Sequence, residues 1–128
     1  MELPDEFTSF WHAIVNPGEV CRVEVPSTIE CFLTSACVGQ EGTRPAEGRL
    51  LLSCKVNSGK EHVIVPFRLN TYESATIDLR FNETDVILFK VTGVSLPVHI
   101  SGYIKGGFHI VVNEYDENTY YKMIGAKV

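Results

Sequence analysis

The chain has 128 residues, which suits one ordinary domain and leaves no room for two. Hydrophobic residues make up 45%, enough for a packed core and too many for wholesale disorder. A formal net charge of -5 argues against a nucleic-acid backbone as direct partner and in favour of a basic one.

Short runs rich in valine, isoleucine, phenylalanine and threonine recur between turn signals, the rhythm of antiparallel strands in a sandwich or barrel. Thr8 to Val15 reads as the first strand, closed by Asn16-Pro17-Gly18. Val20 to Val25 alternates, with Cys21, Val23 and Val25 on one face and Arg22 and Glu24 on the other. Pro26-Ser27 turns the chain into a longer run from Ile29 to Val38. Gly39 to Gly48 is polar and glycine-rich, and an exposed hairpin loop is expected there. Leu50, Leu52, Cys54 and Val56 form the next inward face, ended by Asn57-Ser58-Gly59-Lys60. Val63, Val65, Phe67 and Leu69 follow at the same period, and Ile77, Leu79 and Phe81 alternate with Asp78 and Arg80. Val86 to Thr92 and Pro97 to Ile104 complete eight strands, and Gly106-Gly107 offers a turn into a ninth at Phe108 to Val112.

No segment carries a helical period; Pro4 to Ala13 comes nearest, and its aromatics and threonine suit a strand as well. The expected fold is all-β, an eight-stranded jelly-roll sandwich. Residues 1–112 form its core, and residues 113–128 a C-terminal tail or an extra strand, whose Tyr115, Tyr120 and Tyr121 either pack on the body or belong to that strand.

Cys21, Cys31, Cys37 and Cys54 each fall in an apolar run without the spacing of a zinc site, and are expected as reduced core residues. The acidic start, Met1 to Glu6, leads into no apolar signal stretch, and no apolar run is long enough to span a bilayer. A soluble intracellular chain is expected, in which Asn82-Glu83-Thr84 has no weight as a glycosylation acceptor. There is no serine elbow, no phosphate loop and no HExxH helix, so neither catalytic residues nor a cofactor are expected. His12, His62, His99 and His109 are scattered and form no metal-ligand spacing. Gly102, Gly106 and Gly107 read as a bulge and a turn, and Trp11 beside Phe10 as core or interface.

Two runs are apolar at both parities: Phe32 and Val38 beside Ile29 and Leu33, and Leu51 beside Leu50. Such a surplus points to a subunit interface, because contiguous apolar patches are rarely left open to water.

Three stretches carry a resemblance. Pro97-Val98-His99-Ile100-Ser101-Gly102 resembles the closing strand of animal nucleoplasmin and nucleophosmin. Phe10 to Gly18 is similar to the opening of the related domain in plant nucleolar histone-deacetylase-like proteins, a domain that also precedes the isomerase unit of nuclear FKBP-type prolyl isomerases. Thr34 to Gly39 and Gly48 to Leu52 resemble the same group's third and fourth strands. The resemblance implies a jelly-roll protomer that joins four copies of itself in a homopentamer, resides in the nucleus or nucleolus, and binds core histones. It implies neither a direct nucleic-acid site nor a membrane role.

Histone binding in such rings rests on repeated carboxylates paired with the partner's arginine and lysine. The candidates are Glu41 and Glu47 in the long loop, Glu2, Asp5 and Glu6 near the start, and Glu114, Asp116 and Glu117 near the end. The acidic runs of animal members are missing here, since the loop after the second strand is Pro26-Ser27-Thr28 and no acidic tract precedes Val128. Arg44-Pro45-Ala46 also lacks the motif that joins ring to ring, so decamers do not carry over. His99 is expected to face away from Val98 and Ile100, off the face of Ser101, in a structural hydrogen bond. A non-catalytic oligomerisation module of a larger nuclear prolyl isomerase or deacetylase-like protein is the second reading. An unrelated sugar-binding or capsid jelly roll is the third, for which no calcium-ligating cluster is visible.

Overall fold

Alternating runs separated by turn residues bury one face each, and here they do so in two stacked sheets. The computed structural model describes residues 8–41 and 43–123. It contains β1 (Thr8–Val15), β2 (Glu19–Glu24), β3 (Glu30–Val38), β4 (Arg49–Val56), β5 (Glu61–Arg68), β6 (Ser74–Phe81), β7 (Val86–Gly93), β8 (Val98–Lys105), β9 (Val111–Asp116) and α1 (Glu117–Met123). One sheet has the order β1-β8-β3-β6 and the other β5-β4-β7-β2-β9. The first eight strands make a jelly roll, and β9 pairs with the free edge of β2. Between the sheets lie Val15, Leu33, Leu50, Leu52, Phe67 and Ile100, with Phe81 edge-on to Phe89 at 6.2 Å.

Several details depart from the sequence reading. The connection from β3 to β4 is a crossover and not a hairpin, since β3 belongs to the first sheet and β4 to the second. The surplus in β3 is mostly a bulge. Leu33 and Ser35 pair with the adjacent Gly102 and Ser101, so the extra residue Thr34 flips the parity. Cys31, Leu33, Ala36 and Val38 are therefore all buried, while Cys37 turns outward to solvent and is no core residue. A second irregularity pairs Leu52 with Val65 and Ser53 with Val63, which turns Val63 out to 55% exposure. The ninth strand starts at Val111 and runs to Asp116, later than Phe108, because only there does the chain meet β2.

Helix α1 was not legible as a period because it is only 7 residues long. Its start is nevertheless chemically marked. The Asp116 carboxylate accepts from the Thr119 backbone N–H at 3.1 Å and its hydroxyl at 3.2 Å, an N-cap. The helix packs back on β2 and β9, where Tyr120 is buried 5.1 Å from Tyr115. Tyr115 is the cross-strand partner of Val20, so Val20 is fully buried although the alternation points it away from the core.

The three buried thiols, Cys21, Cys31 and Cys54, are free. Burial pushes the Cys21 and Cys31 thiols up to about 12, so both stay protonated and unreactive at neutral pH.

At one end of the sandwich two β-branched residues hold left-handed backbone, Thr28 at φ 70° and Thr84 at φ 67°. Each is held by the other loop. The Thr28 N–H donates to Glu83 at 2.6 Å, and the Thr84 N–H donates to the Val25 carbonyl at 2.8 Å. Asparagine tolerates this conformation better than threonine. Thr84→Asn is expected to raise stability by about 1 kcal/mol in urea denaturation.

Candidate functional site

Antiparallel pairing brings the β1–β2, β3–β4, β5–β6 and β7–β8 connections to one end of the jelly roll, and the end of β9 joins them. Glu41, Glu47, Asp116 and Glu117 all lie at this end, and Glu114 sits two residues down β9. Glu19 and Glu73, which the sequence reading did not single out, lie there as well. The acids are spread along the rim and do not form one cluster. Glu47 leads into β4, next to the β5 edge, and Asp116 ends β9 on the opposite edge, three strand spacings or roughly 14 Å away. Glu2, Asp5 and Glu6 lie outside the described residues.

Several of these carboxylates already have partners. Asp116 caps α1, and Glu117 pairs with Lys90 at 2.8 Å. Burial opposes the charge on Lys90, but the hydrogen bond to Glu117 and the charge of Glu61 raise its pKa on balance. Glu73 accepts from the Asn70 backbone N–H at 2.6 Å and from Arg44 at 2.5 Å, while Arg44 also donates to the Gly39 carbonyl at 3.1 Å. Arg44 thus latches the β3–β4 connection onto the β5–β6 turn. Glu47 shares a shallow groove with Arg49 and Arg68, which face each other across β4 and β5.

The backbone N–H of Asn70, followed by Arg44, holds the Glu73 carboxyl below the ordinary value of 4.5. A depressed carboxyl adds stability that is full above that ordinary value and fades as pH falls through the lower folded one. Glu73→Gln is therefore expected to flatten the acid limb of stability against pH. An unchanged limb would refute the latch.

Val98 to Gly102 form the start of β8, between β1 and β3, with Pro97 just before the strand. Val98, Ile100 and Gly102 face inward and are buried; His99 and Ser101 share the outer face, which corrects the expectation that they do not. Ser101 meets the Ser35 hydroxyl at 2.7 Å. His99 Nε2 lies 3.1 Å from both carboxylate oxygens of Glu41, and this hydrogen bond holds the Glu41 carboxyl below its usual range. The other nitrogen of His99, Nδ1, lies 3.1 Å from Nε2 of His12. Nothing in the sequence marks that pair, whose members are 87 positions apart.

The indole of Trp11 is buried against the inner face of β8 at Gly102, its cross-strand partner. Its Nε1–H donates to the Phe32 carbonyl on β3 at 2.9 Å. On the outer face Phe10, Tyr103 and Phe32 lie side by side in register across β1, β8 and β3. Phe32 stacks on Tyr103 at 4.5 Å, and Phe10 stands 86% exposed. On the opposite flank the edges of β5 and β6 leave a seam lined by Ile64, Tyr72, Ala75, Ile77 and Leu79. Among the described residues no three His, Cys, Asp or Glu side chains converge as a metal-binding group.

The strand orders and the two sheets define a jelly-roll sandwich, with strand edges and partly exposed apolar side chains left on its surface. The family model of the nucleoplasmin-like domain matches residues 10–105, and the chain belongs to that family. Strand β9 and helix α1 fall beyond the matched residues. Among solved structures, the Drosophila NLP core, studied for pentamer formation and histone binding, is similar with a TM-score of 0.64 at 16% identity. The match covers 76% of this chain and 98% of that one. The nucleoplasmin-like N-terminal domain of Drosophila FKBP39 is similar with a TM-score of 0.56 at 16% identity, over 84% of this chain and 98% of that one. At such identities the likeness is one of fold. No curated protein matches the sequence.

Proposed function

We propose that the protein is a nuclear histone chaperone core, acting by binding and not by catalysis, whose protomers close into a homopentameric ring. The jelly roll within residues 1–112 is the assembling unit, and residues 113–128 are an addition to it. The observation that carries this reading is the placement of two different apolar surfaces on opposite flanks. The Phe10–Tyr103–Phe32 strip runs inward from the β1 edge over the outer face of its sheet, and the β5–β6 seam lies at that sheet's other edge. A head-to-tail contact that closes into a ring requires two such unlike patches.

Assembly would repeat the acidic rim around one face of the ring and gather a charge of roughly -25, which attracts basic partners over several kT. Glu41, Glu47, Glu114, Asp116 and Glu117, with Glu2, Asp5 and Glu6, are the proposed contacts for histone arginine and lysine. In ultracentrifugation the particle is expected at about five times the chain mass of 14.3 kDa. Binding to core histones is expected to weaken steeply as salt rises from 0.05 to 0.5 M, by about tenfold or more. A monomer that ignores histones at low salt would end the proposal.

The likeness to the FKBP39 domain favours a second reading, in which the same ring is the oligomerisation module of a larger nuclear prolyl isomerase or deacetylase-like protein. A parent chain carrying a catalytic unit would distinguish the two.

A further inference from the structure

We propose that His12 and His99 bind a late first-row divalent cation, Cu2+ ahead of Zn2+, with Glu41 as the residue that positions His99. The pairing of β1 with β8 sets Ile14 opposite His99 and His12 opposite Ser101, so the two histidines are diagonal neighbours on the outer face. Their facing nitrogens are 3.1 Å apart and their ring centres 5.3 Å. Two imidazoles bound to one ion at about 2.0–2.1 Å would place the nitrogens roughly 2.9 Å apart in the tetragonal shell of Cu2+ and about 3.3 Å apart in the tetrahedral shell of Zn2+, with ring centres at about 4.5 and 5.2 Å. The observed nitrogen separation lies between the two.

The protonation logic selects the same atoms. An ionised carboxylate only accepts, so Glu41 fixes the proton of neutral His99 on Nε2 and leaves Nδ1 as a lone pair aimed at His12. A carboxylate behind the imidazole is the usual orienting partner of a metal-bound histidine. Without an ion, His12 Nε2–H donates to that lone pair; on binding, the His12 proton moves to Nδ1 and the freed Nε2 becomes the second ligand. Gly39 makes the approach possible, since a side chain there would lie 2.7 Å from the Glu41 oxygen and 3.1 Å from His99 Cδ2. Two imidazoles select Cu2+, Ni2+ or Zn2+ over Mg2+ and Ca2+, and Cu2+ binds such donors most tightly. Water completes the shell. Cys37, opposite His99 in register, is exposed on this face.

Both ligands and the positioning carboxylate belong to one protomer. Calorimetric titration of the 128-residue chain with CuCl2 and ZnCl2 tests it. The expected result is one ion per chain, tighter for Cu2+, with a matching rise in melting temperature. His12→Gln and His99→Gln should abolish the binding, and Glu41→Gln should weaken it about 10- to 100-fold while circular dichroism stays native. His62→Gln and His109→Gln should leave it intact. The observed separation also suits a plain hydrogen bond. If that is all it is, neither ion binds saturably, or binding survives His12→Gln, and the proposal is overturned.

Discussion

Gly102→Ala is expected to destabilise the protomer by at least about 3 kcal/mol in urea denaturation, and to prevent folding at elevated temperature. The Trp11 indole lies over Gly102 and donates to the Phe32 carbonyl at 2.9 Å, tying β1 to β3 across the strand between them. A methyl group at Gly102 would overlap the Phe32 carbonyl oxygen and lie 2.8 Å from its carbon and 2.9 Å from Trp11 Nε1. The obstruction is backbone in an interior strand, so it has no flexible end that could move aside. Trp11→Phe should cost less, about 2–3 kcal/mol, from the lost indole volume and a carbonyl left without its donor. A Gly102→Ala protein within 1 kcal/mol of the wild type would show that the indole does not need this notch. The same argument explains why the aromatic start of the chain and the glycine of the Pro97–Gly102 string occur together.

Phe10→Glu is expected to convert the particle from about five chains to one while leaving the protomer folded. Phe10 contributes almost nothing to the core, being 86% exposed, so its removal should not unfold the sandwich. It does head the strip it forms with Tyr103 and Phe32, and a charge placed there would have to be buried against an apolar neighbour. At micromolar protein, sedimentation should read about 14 kDa with an unchanged circular dichroism spectrum. Tyr72→Glu, on the opposite seam, should do the same, because a head-to-tail contact fails when either half is spoiled. If both variants sediment like the wild type, these flanks are not the contact.

The candidate acids divide by how much of their environment is local. The cap at Asp116 rests on Thr119, three residues on, and its chemistry is visible in the chain. The ion pair of Glu117 with Lys90 and the hydrogen bond of Glu41 to His99 join distant segments, and no spacing rule reaches them. Histidines that looked scattered are neighbours for the same reason: β1 and β8 pair although they lie at opposite ends of the jelly roll's chain order. The likeness of the string at Pro97 marks the family without exposing that contact.

The amino-acid sequence alone determined the strand rhythm, because burial of one face imposes a period of two on each segment. It also determined where most turns fall, because glycine, proline and asparagine act on their own dihedral angles. What only the tertiary structure decided was parity and partnership. A single extra residue at Thr34 sends Val38 inward and Cys37 outward, and whether a bulge forms there depends on the register with β8. Likewise Val20 is buried because β9 and α1 return to cover it, and Glu41 meets His99 because the crossover from β3 starts beside the start of β8. Long-range pairing is a property of the whole sheet, so no local window of the chain contains it.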